Sequence, residues 1–492
     1  MKRTSRRTFL GRAIASAGLG LLPSTFWAAR LAFAQGPLTR FDATSTQGQA
    51  MLEKYARAVA KMQDVAVTPE ADPQSWLFQW YSHAVAPNTT KIAELTRVYG
   101  NTPSPRRALA AVMWDNCQAH QMTGVPQDYR MFLPWHRMYL CYFERIVRMV
   151  LDDQTFTLPY WDYTTAGSRA IPEQFRKRND PLYKVLYRGD RNDGSNGMPN
   201  INAGQPLDQN QVGIPLSLDA LGRSDYEDTG VAQGFCSELD GGLHGAIHVL
   251  VGKPTNMGSI PWAARDPIFW LHHANIDRIW VSWNKANRTN PGGTWLTTTF
   301  PFSSENGSRV DAKVGDFVDT EAIAAGPYRY DKLLPVPPVA AVAAATLVTP
   351  APAPVAVQRS AGPTKLGGAR VQVALAPTGV PTAAAVGDPT GKVYLVLQNL
   401  QAHAQPGVLY NIYLDASATA AGASATPVGS INFFGAAHEP AHSATAGRSF
   451  YSFDVTNSPA AASSTPVVRI QPSGEPLANT QPEVGSVSLV RQ

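Results

Sequence analysis

Four of the ten histidines in this 492-residue chain fall between positions 244 and 273. His244 and His248 are four residues apart, so on a helix they share one face. There two imidazoles can grip one metal ion. His272 and His273 follow and can supply a third nitrogen. A second set lies upstream: His83, His120 and His136. Ligation by imidazole alone, with no obligatory carboxylate or thiolate, suits copper, zinc, iron or nickel. Two such sets point to a paired-metal centre. A hydrolytic zinc site of the HExxH type needs a glutamate directly after its first histidine, and Gly245 stands there instead.

These histidines need helices to aim them. The pattern is helical over 45–57 and again over 73–83, where Asp72 before Pro73 reads as a helix start. Residues 137–151 make the clearest amphipathic helix, with Leu140, Phe143, Ile146, Val147 and Val150 as its apolar stripe. One later helix carries His244 and His248, and another runs from His273 through Asn284. Four metal-bearing segments predict a four-helix bundle, which holds metals in its core. Residues 165–235 are rich in Gly, Asn, Asp and Pro and read as long surface loops. Loops of that length often frame a substrate entrance.

From 333 to 363 the chain turns to Pro, Ala and Val, the composition of a semi-extended linker. Short apolar runs follow at 392–397, 409–414, 429–434, 449–455 and 467–470, separated by turn-forming residues, and predict an all-β sandwich or barrel. Its histidines, His403, His438 and His442, have no ligand-like spacing and read as exposed loop residues. The expected fold is mainly α. A four-helix-bundle dinuclear metal domain with long loops covers 35–332. After the linker comes a smaller all-β, sandwich-like domain over 364–492.

Four stretches carry a family resemblance: FLPWHRMYL (132–140), PYWDY (159–163), HGAIH (244–248) and DPIFWLHHANIDRIW (266–280). They closely resemble the two copper-binding regions of the tyrosinase, catechol oxidase and hemocyanin group, the type-3 copper proteins. The likeness covers residues 70–330, and the chain is similar to long bacterial members with a C-terminal domain. It implies two copper ions, with O2 as co-substrate. It also implies oxidation of o-diphenols to o-quinones, with o-hydroxylation of monophenols as a further activity. An o-aminophenol oxidase and an oxygen carrier of the hemocyanin kind are the alternatives.

Carried over residue by residue, the copper B ligands are His244, His248 and His273, with His272 a neighbour. The copper A ligands are His83, which follows Ser75-Trp76, then His120 and His136. In the family the second ligand usually lies nine residues before the histidine of the FLPWHR motif, which here is Gln127. Residues 122–126 read as an inserted loop that returns His120 to that place. The competing assignment makes His120 the first ligand, Gln127 the second, and His83 structural. Cys117 resembles a cysteine that forms a thioether to a histidine in long bacterial members. Asp277, four residues after His273, is expected to orient a ring through a hydrogen bond. Arg265, Asp266, Arg278 and Asp162 are expected to staple the bundle as ion pairs.

Further positions bear on which reaction runs. Strong hydroxylases of the family often have Asn directly after the first copper B histidine; Gly245 is there. They also carry an upstream Glu that helps deprotonate the phenol, and Asp240 or Glu238 takes that place. Ile260 stands where plant enzymes often have a bulky Phe, which leaves a more open site. Phe433 or Phe434 is the candidate plug that a C-terminal domain inserts into the entrance.

Charge excludes other classes. The formal charge is +5, but Lys2, Arg3, Arg6, Arg7, Arg12 and Arg30 sit in the first 34 residues with no acid among them. Without those six, 36 basic residues face 37 acidic ones, so no nucleic-acid partner is expected. Small phenols and O2 are the expected partners. Residues 1–34 read as a twin-arginine export signal: Ser5-Arg6-Arg7-Thr8-Phe9-Leu10, an apolar run, then Ala32-Phe33-Ala34 as an A-x-A cleavage site. The product is expected to be periplasmic or secreted, with no membrane attachment after signal removal. Three cysteines, Cys117, Cys141 and Cys236, argue against a disulfide framework.

Overall fold

The computed structural model describes residues 36–118, 128–209, 216–338, 353–379, 391–419, 423–436 and 450–492. The export signal, His120, Gln127, His438, His442 and residues 339–352 of the expected linker lie outside them. Residues 37–492 pack as one compact unit. Its front is helical and its back is built of β-strands, as the hydrophobic periods predict. No helix among the described residues is long and apolar enough to cross a membrane.

The α-helices before residue 290 are α1 (Thr46–Gln63), α2 (Trp76–His83), α3 (Lys91–Tyr99), α4 (Pro105–Met113), α5 (Phe132–Leu151), α6 (Phe235–Glu238), α7 (Gly245–Val251), α8 (Ile260–Ala263) and α9 (Ile268–Lys285). A π-helical turn, Leu239–His244, joins α6 to α7. α2 starts three residues later than the Asp72-Pro73 signal suggests. Asp72 instead caps a turn, accepting from the Gln74 amide at 2.9 Å. The helix is capped by Ser75, whose hydroxyl accepts the Phe78 amide at 3.1 Å. α5 runs five residues further towards its N-terminus than the apolar stripe shows, because 132–136 are buried all round and have no polar face to mark the period. It stops at Asp152, which adopts a left-handed conformation (φ 55°).

α5 and α9 form the centre. Phe143 of α5 stacks on Trp270 of α9 with ring centroids 3.5 Å apart. Below the stack lies a buried charge network. Strand β1 (Leu38–Arg40) pairs in parallel with β4 (Tyr328–Tyr330), which delivers Arg40 into the core. Arg40 grips Glu144 of α5 with two 3.0 Å hydrogen bonds and Asp277 of α9 with a third. Asp277 also accepts from Arg137 of α5 and from the Tyr328 and Tyr330 hydroxyls, the latter two at 2.6 Å. The expectation that Asp277 orients a histidine ring is therefore corrected: four donors use its carboxylate, and they fix the helices rather than a ring. Of the other expected staples, Arg278 pairs with Asp162 at 3.2 Å. Asp266 pairs with Arg191 at 2.7 Å, and Arg265 with Asp190.

The loops at 165–235 are less superficial than their composition suggests. Arg191 is fully buried and reaches the Phe175 and Leu186 carbonyls as well as Asp266. The same loops dock the β portion: Asn196 meets Gly407 and Glu475, and Gln233 exchanges hydrogen bonds with Phe450 and Ser452. That portion has two antiparallel sheets. One orders β12 (Phe450–Asp454), β9 (Val393–Gln401), β14 (Glu483–Arg491), β5 (Val355–Arg359) and β8 (Ala376–Pro377), with β6 (Thr364–Lys365) also on β14. The other orders β11 (Gly429–Ile431), β10 (Tyr410–Asp415), β13 (Val467–Pro472) and β7 (Val371–Ala374). β5 lies inside the stretch expected to be linker, because its alternating Val and Ala read as composition rather than as a strand.

Burial alone would push the Asp277 carboxyl up; Arg137, Arg40 and the two tyrosine hydroxyls outweigh it and hold it below the ordinary carboxylate range. Its stabilisation is complete above the unfolded value of about 3.9 and is lost as pH falls through the lower folded value. Asp277→Ala leaves Arg137 buried without its carboxylate, a loss of about 3–5 kcal/mol. A urea unfolding midpoint within error of the parent's, measured at pH 7, would contradict this.

Candidate metal centre

Each histidine sits at a position that a helix dictates. His83 is the last residue of α2 and His136 lies in the first turns of α5. His244 closes the π turn, His248 lies on α7, and His272 and His273 lie on α9. All six are buried to 3% exposure or less. They form two groups whose donor atoms lie within 4.8 Å of one another: His83, Cys117 and His136, and His244, His248, His272 and His273. The groups adjoin, since His136 and His273 stack with centroids 4.3 Å apart and planes 11° from parallel. Phe132 packs on His136 and His244, and Phe269 on His83 and His273, so apolar rings fill the space between the imidazoles.

The backbone sets the tautomers. His136 Nδ1 lies 2.8 Å from the Phe132 carbonyl, and His248 Nδ1 lies 2.8 Å from the Met257 carbonyl. A carbonyl only accepts, so each Nδ1 carries the hydrogen and each Nε2 keeps its lone pair. His244 Nδ1 faces the Asp240 carboxylate at 2.9 Å, with the same result. The Nε2 atoms of His244 and His248 then meet at 3.0 Å with two lone pairs facing each other, an arrangement that a shared cation relieves. Burial, reinforced by the neighbouring imidazoles, holds His248, His272 and His273 well below the usual histidine range, so they stay neutral. The second group's convergent, all-nitrogen donors fit a soft-to-borderline metal such as copper, and the imidazoles and thiol of the first group suit the same metal.

The remaining positions have mixed surroundings. Asp240 acts on His244, as a carboxylate that orients a ligand does. Glu238 is committed to an ion pair with Arg223; burial raises its carboxyl despite that partner. Ile260 is half-buried at the start of α8 and packs against the core. Cys117 Sγ lies 3.6 Å from His136 Nε2. Its expected thioether partner, His120, and Gln127 are outside the described residues. No cysteine is in a disulfide.

Three residues that the sequence reading did not single out act on the site, two of them from the β portion. Asn432 Nδ2 and the Tyr451 hydroxyl both donate to the Gly241 carbonyl, at 2.7 and 2.8 Å. Asn432 Oδ1 accepts the Phe434 amide at 3.0 Å, shaping the turn that presents Phe434. Phe434 lies flat on His248, centroids 4.1 Å apart and planes 11° from parallel. Phe433 packs edge-on to Tyr410 within the β core. A side chain at Gly245 would meet the Asn432 amide at 2.7 Å, so Gly245→Asn displaces the Asn432 turn before it can act on substrate. Tyr163 is the third, 2.9 Å from His272 Nδ1. The NFFG stretch was a visible signal for Phe434, whereas Tyr451 sits in an ordinary strand pattern.

Residues 73–286 match the family model described as the common central domain of tyrosinase. The chain is 31% identical over 296 residues to tyrosinase HcTyr1 of Hahella sp. (strain CCB-MM4), a match covering 55% of this chain and 59% of that one. It is 30% identical over 233 residues to the chloroplastic polyphenol oxidase II of Ipomoea batatas, covering 41% and 38%. It thus spans between about two fifths and three fifths of these relatives' lengths. Its fold is that of a latent apple tyrosinase, with a TM-score of 0.58 at 19% identity over 92% of this chain and 97% of the other.

Metal counting by atomic absorption checks the donor sets. His136→Ala and His248→Ala should each lose one of the two metals and keep the other. His120→Ala and His83→Ala should lose the first-site metal while Gln127→Ala keeps both. Full occupancy in His120→Ala would move that ligand elsewhere.

Proposed function

We propose, from a chain whose residues 73–286 are a tyrosinase common central domain, that it is a dinuclear copper enzyme oxidising o-diphenols to o-quinones with O2. The observation that carries this reading is the convergence of buried imidazoles in two adjoining groups. His244, His248 and His273 would hold one copper, and His83 and His136, with His120, the other. Copper held there would supply the redox chemistry, in which two diphenols give two quinones while one O2 is reduced to two waters. The chain's part is to orient and to exclude. The backbone bonds of His136 and His248 aim their Nε2 atoms, Asp240 aims His244, and Phe132 and Phe269 keep water from between the sites.

His248 offers a flat face on which an aromatic substrate would stack, and Phe434 occupies that face. The β portion therefore restrains the site. For monophenols, Asp240 is the better-placed acid to assist deprotonation, since Glu238 is paired with Arg223. Oxygen uptake on the copper-loaded protein, with paired mono- and diphenols, tests the reading. It also separates it from an oxygen carrier, which consumes no O2 with catechol, and o-aminophenol as a third substrate tests the related oxidase. Phe434→Ala should raise diphenol turnover several-fold, as should cleavage within residues 340–360. A Phe434→Ala protein no faster than the parent would remove the plug from the account.

The basic segment 1–34 with its paired arginines supports export by the twin-arginine route to the periplasm or beyond. Exchanging Arg6 and Arg7 for Lys should trap the precursor inside the cell. Unimpaired export of that variant in fractionated cells would exclude this route.

A further inference from the structure

The segment before His244 is poorly suited to hold its own shape. Gly241 and Gly242 stand inside its π-helical turn, and glycine is the poorest helix former after proline. The turn also leaves one carbonyl over. The Gly245 amide donates to the Asp240 and Gly242 carbonyls. In an α-helix it would donate to Gly241, four residues back. The β portion takes the Gly241 carbonyl instead, with Asn432 Nδ2 at 2.7 Å and the Tyr451 hydroxyl at 2.8 Å. Both contacts have a fixed direction, because a carbonyl only accepts. Asn432 Oδ1 accepts the Phe434 amide at 3.0 Å, which turns the side-chain nitrogen to Gly241. The Tyr451 hydroxyl lies nearer to the Gly241 carbonyl than to that of Asn432, which stands at 3.1 Å.

Two hydrogen-bond arrangements therefore compete for this segment. With Gly241 held from outside, the turn carries one residue more than an α-helix does. Without those donors, the bare carbonyl regains the Gly245 amide and the turn becomes α-helical. One residue corresponds to about 100° of rotation, so Asp240 and what precedes it would swing by about that angle relative to His244. The Asp240 carboxylate, now 2.9 Å from His244 Nδ1, would leave the ring it faces.

We propose that Tyr451 and Asn432 are positioning residues for the second metal site: by holding the Gly241 carbonyl they keep the turn in its π form and Asp240 on His244. The β portion that covers the site with Phe434 thus also builds it. This deepens the copper reading given above and rests on it.

The test counts and titrates Cu(I) on the full-length protein. The parent should bind two coppers; fewer overturns the copper reading, and this inference with it. Second-site affinity is then measured in the His136→Ala background, where only the second copper remains, by competition with the Cu(I) chelator bicinchoninate. Tyr451→Phe removes one hydroxyl and keeps the ring. It should weaken that copper about tenfold, as the loss of a partner behind a metal ligand does. Asp240→Ala should weaken it at least as much. Tyr451→Phe should add nothing to Asp240→Ala, because the hydroxyl acts through that carboxylate. A purely structural role would instead add its own loss. Unchanged affinity in a Tyr451→Phe protein whose circular dichroism matches the parent's, or full additivity in the double variant, would overturn the proposal and leave the copper reading intact. Asn432→Ala gives an independent reading should Tyr451→Phe misfold. It should weaken the same copper, and an affinity equal to the parent's also counts against the proposal.

Discussion

The Asp277 carboxylate is the fixed point of the molecule. It receives two arginines and two tyrosines in the buried core, and the four donors come from three separate stretches: Arg40 from β1, Arg137 from α5, Tyr328 and Tyr330 from β4. Removing any one partner leaves a buried charge or hydroxyl uncompensated. Arg137 follows His136 directly, and Asp277 lies one turn after His273. The network therefore sets the register of the two helices whose imidazoles stack across the two groups. The metal geometry is held from beneath, by ions that never touch it.

From above, the site is held by backbone. The π turn at Leu239–His244 directs the Gly241 carbonyl out of the helix, where Asn432 and Tyr451 take it. One carbonyl thus joins the β portion to the segment that ends in His244. The Asn432 side chain also shapes the turn that lays Phe434 on His248. Attachment and obstruction come from the same few residues, so neither is adjusted without the other. Gly245 belongs to this arrangement, because the Asn432 amide fills the room a side chain would need.

Much of this was legible from one sequence. An apolar stripe at helical spacing marked α5 from residue 137 on. α9, buried on all sides as far as Trp283, was marked by its paired histidines, and the four-residue spacing of His244 and His248 marked the second group. Less legible was whatever depends on a distant partner. Asp277 looked like a residue that would serve His273 one turn away, and nothing local showed that Arg40, 237 residues distant, would claim it. The loops at 165–235 looked superficial because composition does not reveal a buried Arg191. Between Phe433 and Phe434 nothing local expressed a preference, because the choice is made by distant partners: Tyr410 receives Phe433 and His248 receives Phe434.

The parallel pairing of β1 with β4 also has a consequence for the order of events in synthesis. Arg40 and Tyr330 hydrogen-bond across 290 positions. At elongation rates of roughly 5–20 residues per second, Arg40 waits about 15 to 60 s for its last partners to be made. Glu144 arrives early in that interval, Asp277 late, and β4 at the end. For most of its synthesis the chain holds a cation intended for a dry interior without the groups that make burial tolerable. The Arg40–Glu144 and Arg137–Asp277 pairs join residues made before β4, so closure of the first strand against the fourth is the step that completes the hydrogen bonding of Asp277.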